Sequence, residues 1–256
     1  MEFTPGTYAL ATGLIFVVSV VFAMLGLGGG MLYVPIFKWV GFPLKGMAIP
    51  TGLLLNGITT FSAFLRYARE GLVDFRGGSP AAITGLVLAP VGAWCVQFVS
   101  REALIVLFAV VVSVAGIRTL MISGRPEPET RMPVGRRILV GAGVGGLAGF
   151  IAGLLGVGGG FIVAPMLMAM GYPTKEAAAT TSFVVTFSSF SGFLGHMAEG
   201  HLDPWLAGLC VVAVIAGSQL GAWFMAARAR PGWVKKLYGV VLLAVAAKLV
   251  QGLLSD

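Results

Sequence analysis

The groups with which this sequence could hold a ligand are few, and none is strongly charged. Two glycine stretches interrupt apolar chain, GLGGGMLYVP at residues 26–35 and GVGGGFIVAP at residues 156–165. Glycine weakens a helix and admits backbone angles that other residues resist, so each stretch should break one helix and start another. The first N–H groups of the restarted helix lack intrahelical partners. Together with the positive end of the helix dipole they make a cradle for an anion. Gly28, Gly29, Gly30, Gly158, Gly159 and Gly160 are therefore candidate substrate-binding residues, with Gly26 and Gly156 as structural members of the breaks. Pro35 and Pro165 are expected to shape the short helix that follows each break. Close helix packing is the competing reading, because membrane interfaces favour glycine. It is the preferred reading for Gly145, Gly146 and Gly149, which lie in a stripe of small residues.

Hydroxyls and one amide complete the candidate site. Thr51, Asn56, Thr59, Thr60 and Ser62 fall in one apolar segment, and Thr180, Thr181, Ser182, Thr186, Ser188, Ser189 and Ser191 in another. Such groups bind an oxyanion without introducing permanent charge. Thr51, Asn56, Thr181 and Thr186 are the candidates chosen, against the alternative that each hydroxyl bonds a preceding carbonyl of its own helix. Gln97 and Gln219 are further candidates, Gln97 being expected in solvent near an interface. Asp and Glu are missing from the middle of every apolar segment, which argues against a proton relay through a buried carboxylate. His196, Glu199 and His201 read as a solvated loop cluster rather than a metal site, and no metal or cofactor is expected. Asp74 and Asp203 read as helix-start residues. Cys95 and Cys210 fit neither a disulfide framework nor a zinc spacing.

The elements that position these groups are membrane helices. Of the 256 residues, 57% are hydrophobic and only 11% charged, too few charges to cover a soluble surface. Continuous apolar runs recur along the chain, and continuous runs read as helices rather than barrel strands. The net charge of +7 comes from basic residues between the runs, where they set orientation and meet lipid headgroups; nucleic acid is not expected as a partner. The apolar run from Thr7 to Leu25 has no basic residue before it, so it does not read as a cleavable signal. Trp94, Trp205, Trp223 and Trp233 are expected at the membrane interfaces.

The chain also repeats itself. The two glycine motifs lie 130 residues apart, and Gly41, Pro43, Lys45, Ala48 and Thr51 match Gly171, Pro173, Lys175, Ala178 and Thr181 at the same offset. Asn56 then matches Thr186. At an offset of 129, Gly71, Asp74, Gly92-Ala93-Trp94 and Arg101 match Gly200, Asp203, Gly221-Ala222-Trp223 and Arg230. Two homologous halves are a common design of membrane carriers. The predicted organisation is a first membrane repeat over 1–121, a cytoplasmic linker over 122–137 and a second repeat over 138–256. The linker holds three prolines and four arginines.

The predicted segments are 7–25, 29–40, 47–66, 79–98 and 102–121, then 138–155, 159–170, 177–196, 204–226 and 233–254. The second of each set is too short to span. If each half crosses an odd number of times, thirteen basic residues face one side and only Lys38, Lys45, Arg101 and Lys248 the other. With four crossings the bias vanishes. The positive-inside rule thus predicts inverted halves with both termini outside the cytoplasm.

The doubled motifs GLGGGMLYVPIF and GVGGGFIVAPML, each followed by a G-[FY]-P-x-K segment, resemble the TauE/SafE family of sulfite exporter-like permeases over nearly the whole chain. That resemblance implies sulfite, a sulfonate or another small organosulfur anion as substrate, and it assigns the motif to Gly28, Gly29, Gly30, Pro35, Gly158, Gly159, Gly160 and Pro165. The expectation is an all-helical, multi-pass, inverted-repeat carrier of the cell (inner) membrane. It would move a small anion by alternating access, with a proton or sodium ion as candidate coupling ion. Self-association is open. An anion channel and a membrane-embedded enzyme are the alternatives; the second lacks a nucleophile, metal set or acid–base pair inside the membrane.

Overall fold

A computed structural model describes residues 5–43, 47–128, 130–197 and 202–255. Among them lie ten α-helices: α1 (Pro5–Leu25), α2 (Gly30–Trp39), α3 (Ile49–Arg69), α4 (Phe75–Cys95), α5 (Arg101–Met121), α6 (Val134–Leu155), α7 (Gly160–Ala169), α8 (Thr174–His196), α9 (Pro204–Ala227) and α10 (Pro231–Ser255). At 1.5 Å per residue the 21 residues of α1 reach about 30 Å, enough to cross a hydrocarbon core, whereas the 10 residues of α2 and of α7 reach only about 15 Å. Five helices are both long and apolar enough to span (α1, α4 with its 3-10 extension, α6, α8 and α9). The chain is a multi-pass helical membrane protein.

Local signals set the helix ends. Asp74 accepts from the Gly77 N–H ahead of α4, Ser100 from the Ala103 N–H ahead of α5, and Asp203 from the Trp205 and Leu206 N–H groups ahead of α9. The expected helix-start roles of Asp74 and Asp203 are thus observed. Helix α6 begins at Val134, so Arg136 and Arg137, expected in the linker, are helical. Pro133 stands at the N-cap of α6 with extended backbone. Lys45, Glu199, Gly200 and His201 lie outside the described residues.

The halves pack reciprocally. Helix α1 lies on α9 as α4 lies on α6, α5 pairs with α10, and α3 meets α8 in the centre. Glycine permits the tightest of these approaches. An added Cβ at Gly145, Gly149 or Gly153 would stand closer than 3.0 Å to the α4 backbone at Ala81, Gly85 or Ala89, and one at Gly221 would meet the backbone of Val20. The packing reading of Gly145 and Gly149 is therefore correct, and the mechanism is backbone-to-backbone contact.

Each end of the bundle has its own chemistry. At one end the linker ties α4, α6, α8 and α10 together. Arg137 bonds Asp74 at 2.8 Å, Arg131 pairs with Glu176, and Lys235 pairs with Glu127 at 2.9 Å. Glu127 also accepts from the Thr174 N–H and hydroxyl at the start of α8. Burial opposes the charge on Asp74, but the Gly77 N–H, the Tyr172 hydroxyl and Arg137 and Arg131 outweigh it and hold the carboxyl below its usual range. Glu127 is likewise held low, Lys235 and Thr174 outweighing burial. Burial and the adjacent Asp74 push the Tyr172 phenol up to about 12. At the opposite end Tyr8 bonds Asp203 at 2.9 Å, its ring meets Phe42, and Lys248 lies over the Trp39 ring.

Candidate functional site

The two glycine breaks meet in the interior. Gly26 through Gly30 and Gly156 through Gly160 are all buried. The space beside the Gly30 Cα is bounded by the Val157 carbonyl, 2.7 Å from where a Cβ would stand. Beside Gly160 lie the Cα and carbonyl of Leu27, at 2.9 and 3.0 Å. Each break also rests on the other half's central helix: Gly26 abuts Ala178 of α8, and Gly156 abuts Ile49 of α3. Positive φ angles at Gly26, Gly28 and Gly29 (73°, 91° and 115°), and at Gly156 and Gly158 (68° and 78°), turn the chain from the long helix into the short one. Side-chain-bearing residues avoid such angles, which is why both turns are written in glycine.

Asn56 stands where the breaks cross. Its Oδ1 accepts from the Gly30 N–H at 2.7 Å, and its Nδ2 donates to the Ser189 hydroxyl at 2.6 Å. An added Cβ at Gly28 or Gly158 would collide with this same amide from the two sides. Asn56, expected as a substrate ligand, is in this conformation a cross-link between the halves. It fixes the first amide of α2 to α3 and ties α3 to α8. One turn away the Thr186 hydroxyl lies 3.1 Å from that of Thr60. Helices α3 and α8 therefore cross antiparallel, with Asn56 level with Ser189 and Thr60 level with Thr186.

That register separates two expected partners. Thr51 and Thr181 are repeat equivalents, yet at 1.5 Å per residue they stand about 20 Å apart along the α3–α8 pair. The structure does not bring them together with Asn56 into one cluster. Both are buried, at 1% and 0% exposure, and among the described residues neither hydroxyl has a hydrogen-bond partner. Each lies on the same helix as the residue that supports the opposite half's break, Ile49 for Thr51 and Ala178 for Thr181. Gln219 bonds the Ser62 carbonyl and hydroxyl, linking α9 to α3, while Gln97 is exposed as expected. His196 sits 3.0 Å from the Gly153 carbonyl. Pro35 and Pro165 fall inside α2 and α7.

Backbone donors without partners gather around the crossing. Among the described hydrogen bonds the N–H of Gly30 goes to Asn56, whereas those of Gly28, Gly29, Gly158, Gly159 and Gly160 have no acceptor. Buried backbone donors are rarely left so. The N-termini of α2 and α7 converge on the same place, adding two positive dipole ends in a low dielectric. Several carbonyls nearby are already taken. The Tyr33 hydroxyl donates to Gly28 O at 3.0 Å and Tyr238 to Gly160 O at 3.1 Å. These two tyrosines were not among the expected site residues. Their only signal in the sequence is a hydroxyl within apolar chain, which by itself names no partner.

Comparison with known proteins agrees with this architecture. The family profile described as Sulfite exporter TauE/SafE matches residues 11–249. The chain is 27% identical over 226 residues to the "Probable membrane transporter protein YunE" of Bacillus subtilis, covering 79% of this chain and 80% of the relative. It is 26% identical over 225 residues to the "Probable membrane transporter protein MJ0441" of Methanocaldococcus jannaschii, covering 80% and 82%. A shorter match, 36% over 69 residues, joins it to the "Sulfite exporter TauE/SafE family protein 3" of Arabidopsis thaliana, covering 27% of this chain and 14% of that protein. No solved structure matches the chain significantly. With the family profile spanning both glycine breaks and reaching from within α1 to within α10, this chain belongs to the TauE/SafE family of membrane transporters.

Proposed function

We propose that the chain is a secondary permease, not an enzyme, that carries a small anion such as sulfite, a sulfonate or another organosulfur anion. One observation supports this reading above the rest. Two buried helix N-termini converge, with backbone N–H groups that have no partner among the described residues and with every Asp and Glu of the helical segments kept to their ends. Such a place repels cations and favours an anion. Gly28, Gly29, Gly158, Gly159 and Gly160 would supply donors, with Thr51, Thr181 and Thr186 along the α3–α8 seam. The names of the plant relatives, which include sulfite export, favour a sulfur oxyanion.

The two halves are read as inverted repeats. The start of α1 and the end of α10 are tied to the Asp203 and Trp39 end, and the linker to the Asp74 end. Antiparallel crossing of α3 and α8 accords with this. Rocking of one half against the other would then expose the crossed breaks to each side in turn, coupled to a proton or sodium gradient in the cell membrane. The test is uptake into proteoliposomes of sulfite, sulfoacetate, taurine, thiosulfate and a carboxylate control. Saturable uptake that accumulates one anion against its gradient is expected. Absence of uptake for every anion, or uptake linear in concentration and never concentrative, overturns the carrier reading.

A further inference from the structure

Tyr33 is fully buried, and its ring occupies the space where a side chain at Gly29 would stand. Its hydroxyl reaches Gly28 O at 3.0 Å and Thr59 Oγ1 at 2.9 Å. The peptide it holds joins two glycines, with φ at 91° and 115°. A peptide between two glycines is easily turned over, because neither flanking residue has a Cβ to resist the change. In a trans peptide the carbonyl and the following N–H point in opposite directions. Turning the Gly28–Gly29 unit over would replace the Gly29 N–H with the Gly28 carbonyl, and so a donor with an acceptor.

Tyr238 holds a carbonyl at the second break, that of Gly160 at the start of α7. It is buried, at 1% exposure, and donates to Gly160 O, the carbonyl of the peptide that carries the Phe161 N–H. The two tyrosines are not repeat equivalents. Tyr33 lies on α2 and matches Val163, while Tyr238 comes from α10. Duplication of one half therefore does not account for a phenol at both breaks.

We infer that Tyr33 and Tyr238 are positioning residues for the anion: by holding the Gly28 and Gly160 carbonyls they keep the neighbouring backbone N–H groups turned toward the substrate. This rests on the permease reading. The hydroxyls contribute to substrate affinity and leave the rocking of the halves alone. Tyr67 serves as the control. It too is buried and donates to backbone carbonyls, but to Ala23 and Met24 in the last turn of α1, before the glycine turn begins.

The experiment measures initial uptake rates in proteoliposomes with radiolabelled sulfite, sulfoacetate and thiosulfate for the wild type, Tyr33→Phe, Tyr238→Phe and Tyr67→Phe. Loss of one positioning hydrogen bond should raise KM about 3- to 10-fold, with Vmax per folded transporter within about 2-fold. Tyr67→Phe should keep its KM. A purely structural role would lower the amount of folded protein and leave KM unchanged. KM does not depend on yield, so Tyr238→Phe decides the matter if Tyr33→Phe fails to fold. Unaltered KM in the phenylalanine variants that fold, with saturable wild-type uptake, overturns the inference alone. Absence of wild-type uptake for all three anions overturns the permease reading, and this inference with it.

Discussion

Replacing Gly28 by alanine strains the chain in two separable ways. The backbone there has φ of 91°, which an L-residue adopts at a cost of about 1–2 kcal/mol. The new methyl would also stand closer than 3.0 Å to Asn56 Oδ1 and Cγ and to Thr60 Cγ2. Asn56 cannot yield freely, because its two ends are bonded to Gly30 N and Ser189 Oγ. Moving it leaves a buried N–H unpaired, at about 1–3 kcal/mol, and gives up the Ser189 bond, at about 1 kcal/mol. The whole effect should be about 3–6 kcal/mol, a large part of the 5–15 kcal/mol typical of a folded domain. Gly41→Ala isolates the first part. Its φ is 100°, yet a Cβ there meets nothing within 4 Å among the described residues, so only the backbone cost of about 1–2 kcal/mol applies. Denaturant unfolding of both variants in detergent gives the comparison. Equal losses, within about 0.5 kcal/mol, would refute the claim that Asn56 is held rigidly between the breaks.

Three further outcomes follow from the same contacts. Thr51→Val and Thr181→Val remove buried hydroxyls that lack a partner, so thermal stability should hold or rise while anion uptake falls; a loss above about 1 kcal/mol would mean that those hydroxyls are bonded after all. Asp74 and Glu127 have depressed pKa values, so their stabilisation is complete above the ordinary carboxylate pKa and is lost as pH falls through the depressed value. Melting temperature should therefore drop below about pH 4, less steeply in Asp74→Asn, and a parallel drop in that variant would remove the linkage. A reporter fused after Asp256 should be active only outside the cytoplasm, and cytoplasmic activity would end the inverted-halves reading.

Legibility varied with the range of the interaction. The repeat, the short second helix of each half and the caps at Asp74 and Asp203 are local patterns, and each was readable from composition and spacing. The glycine breaks were readable as breaks, because a buried turn at positive φ needs residues without a Cβ. Asn56 was readable as a polar group at depth, but not as the post between Gly28 and Gly158, since that depends on which helix crosses which. Thr51 and Thr181 look like one site because the repeat pairs them. The antiparallel crossing of α3 and α8 instead carries them toward opposite ends. Asp74 was legible only as a cap, and its bonds to Arg137 and Tyr172 join positions 63 and 98 residues away.

By itself the sequence determined that the chain lies in a membrane, that it is built twice from one helical unit, and that its polar interior is made of backbone and hydroxyls. Hydrophobicity and helix-breaking are properties of neighbouring residues, and duplication shows when the chain is aligned with itself, so all three survive without coordinates. Tertiary structure alone decided that the two breaks touch, that one asparagine locks them, and that tyrosines from unmatched positions take up their carbonyls. Those facts depend on approach between distant segments, where a change of one helical turn would replace every partner.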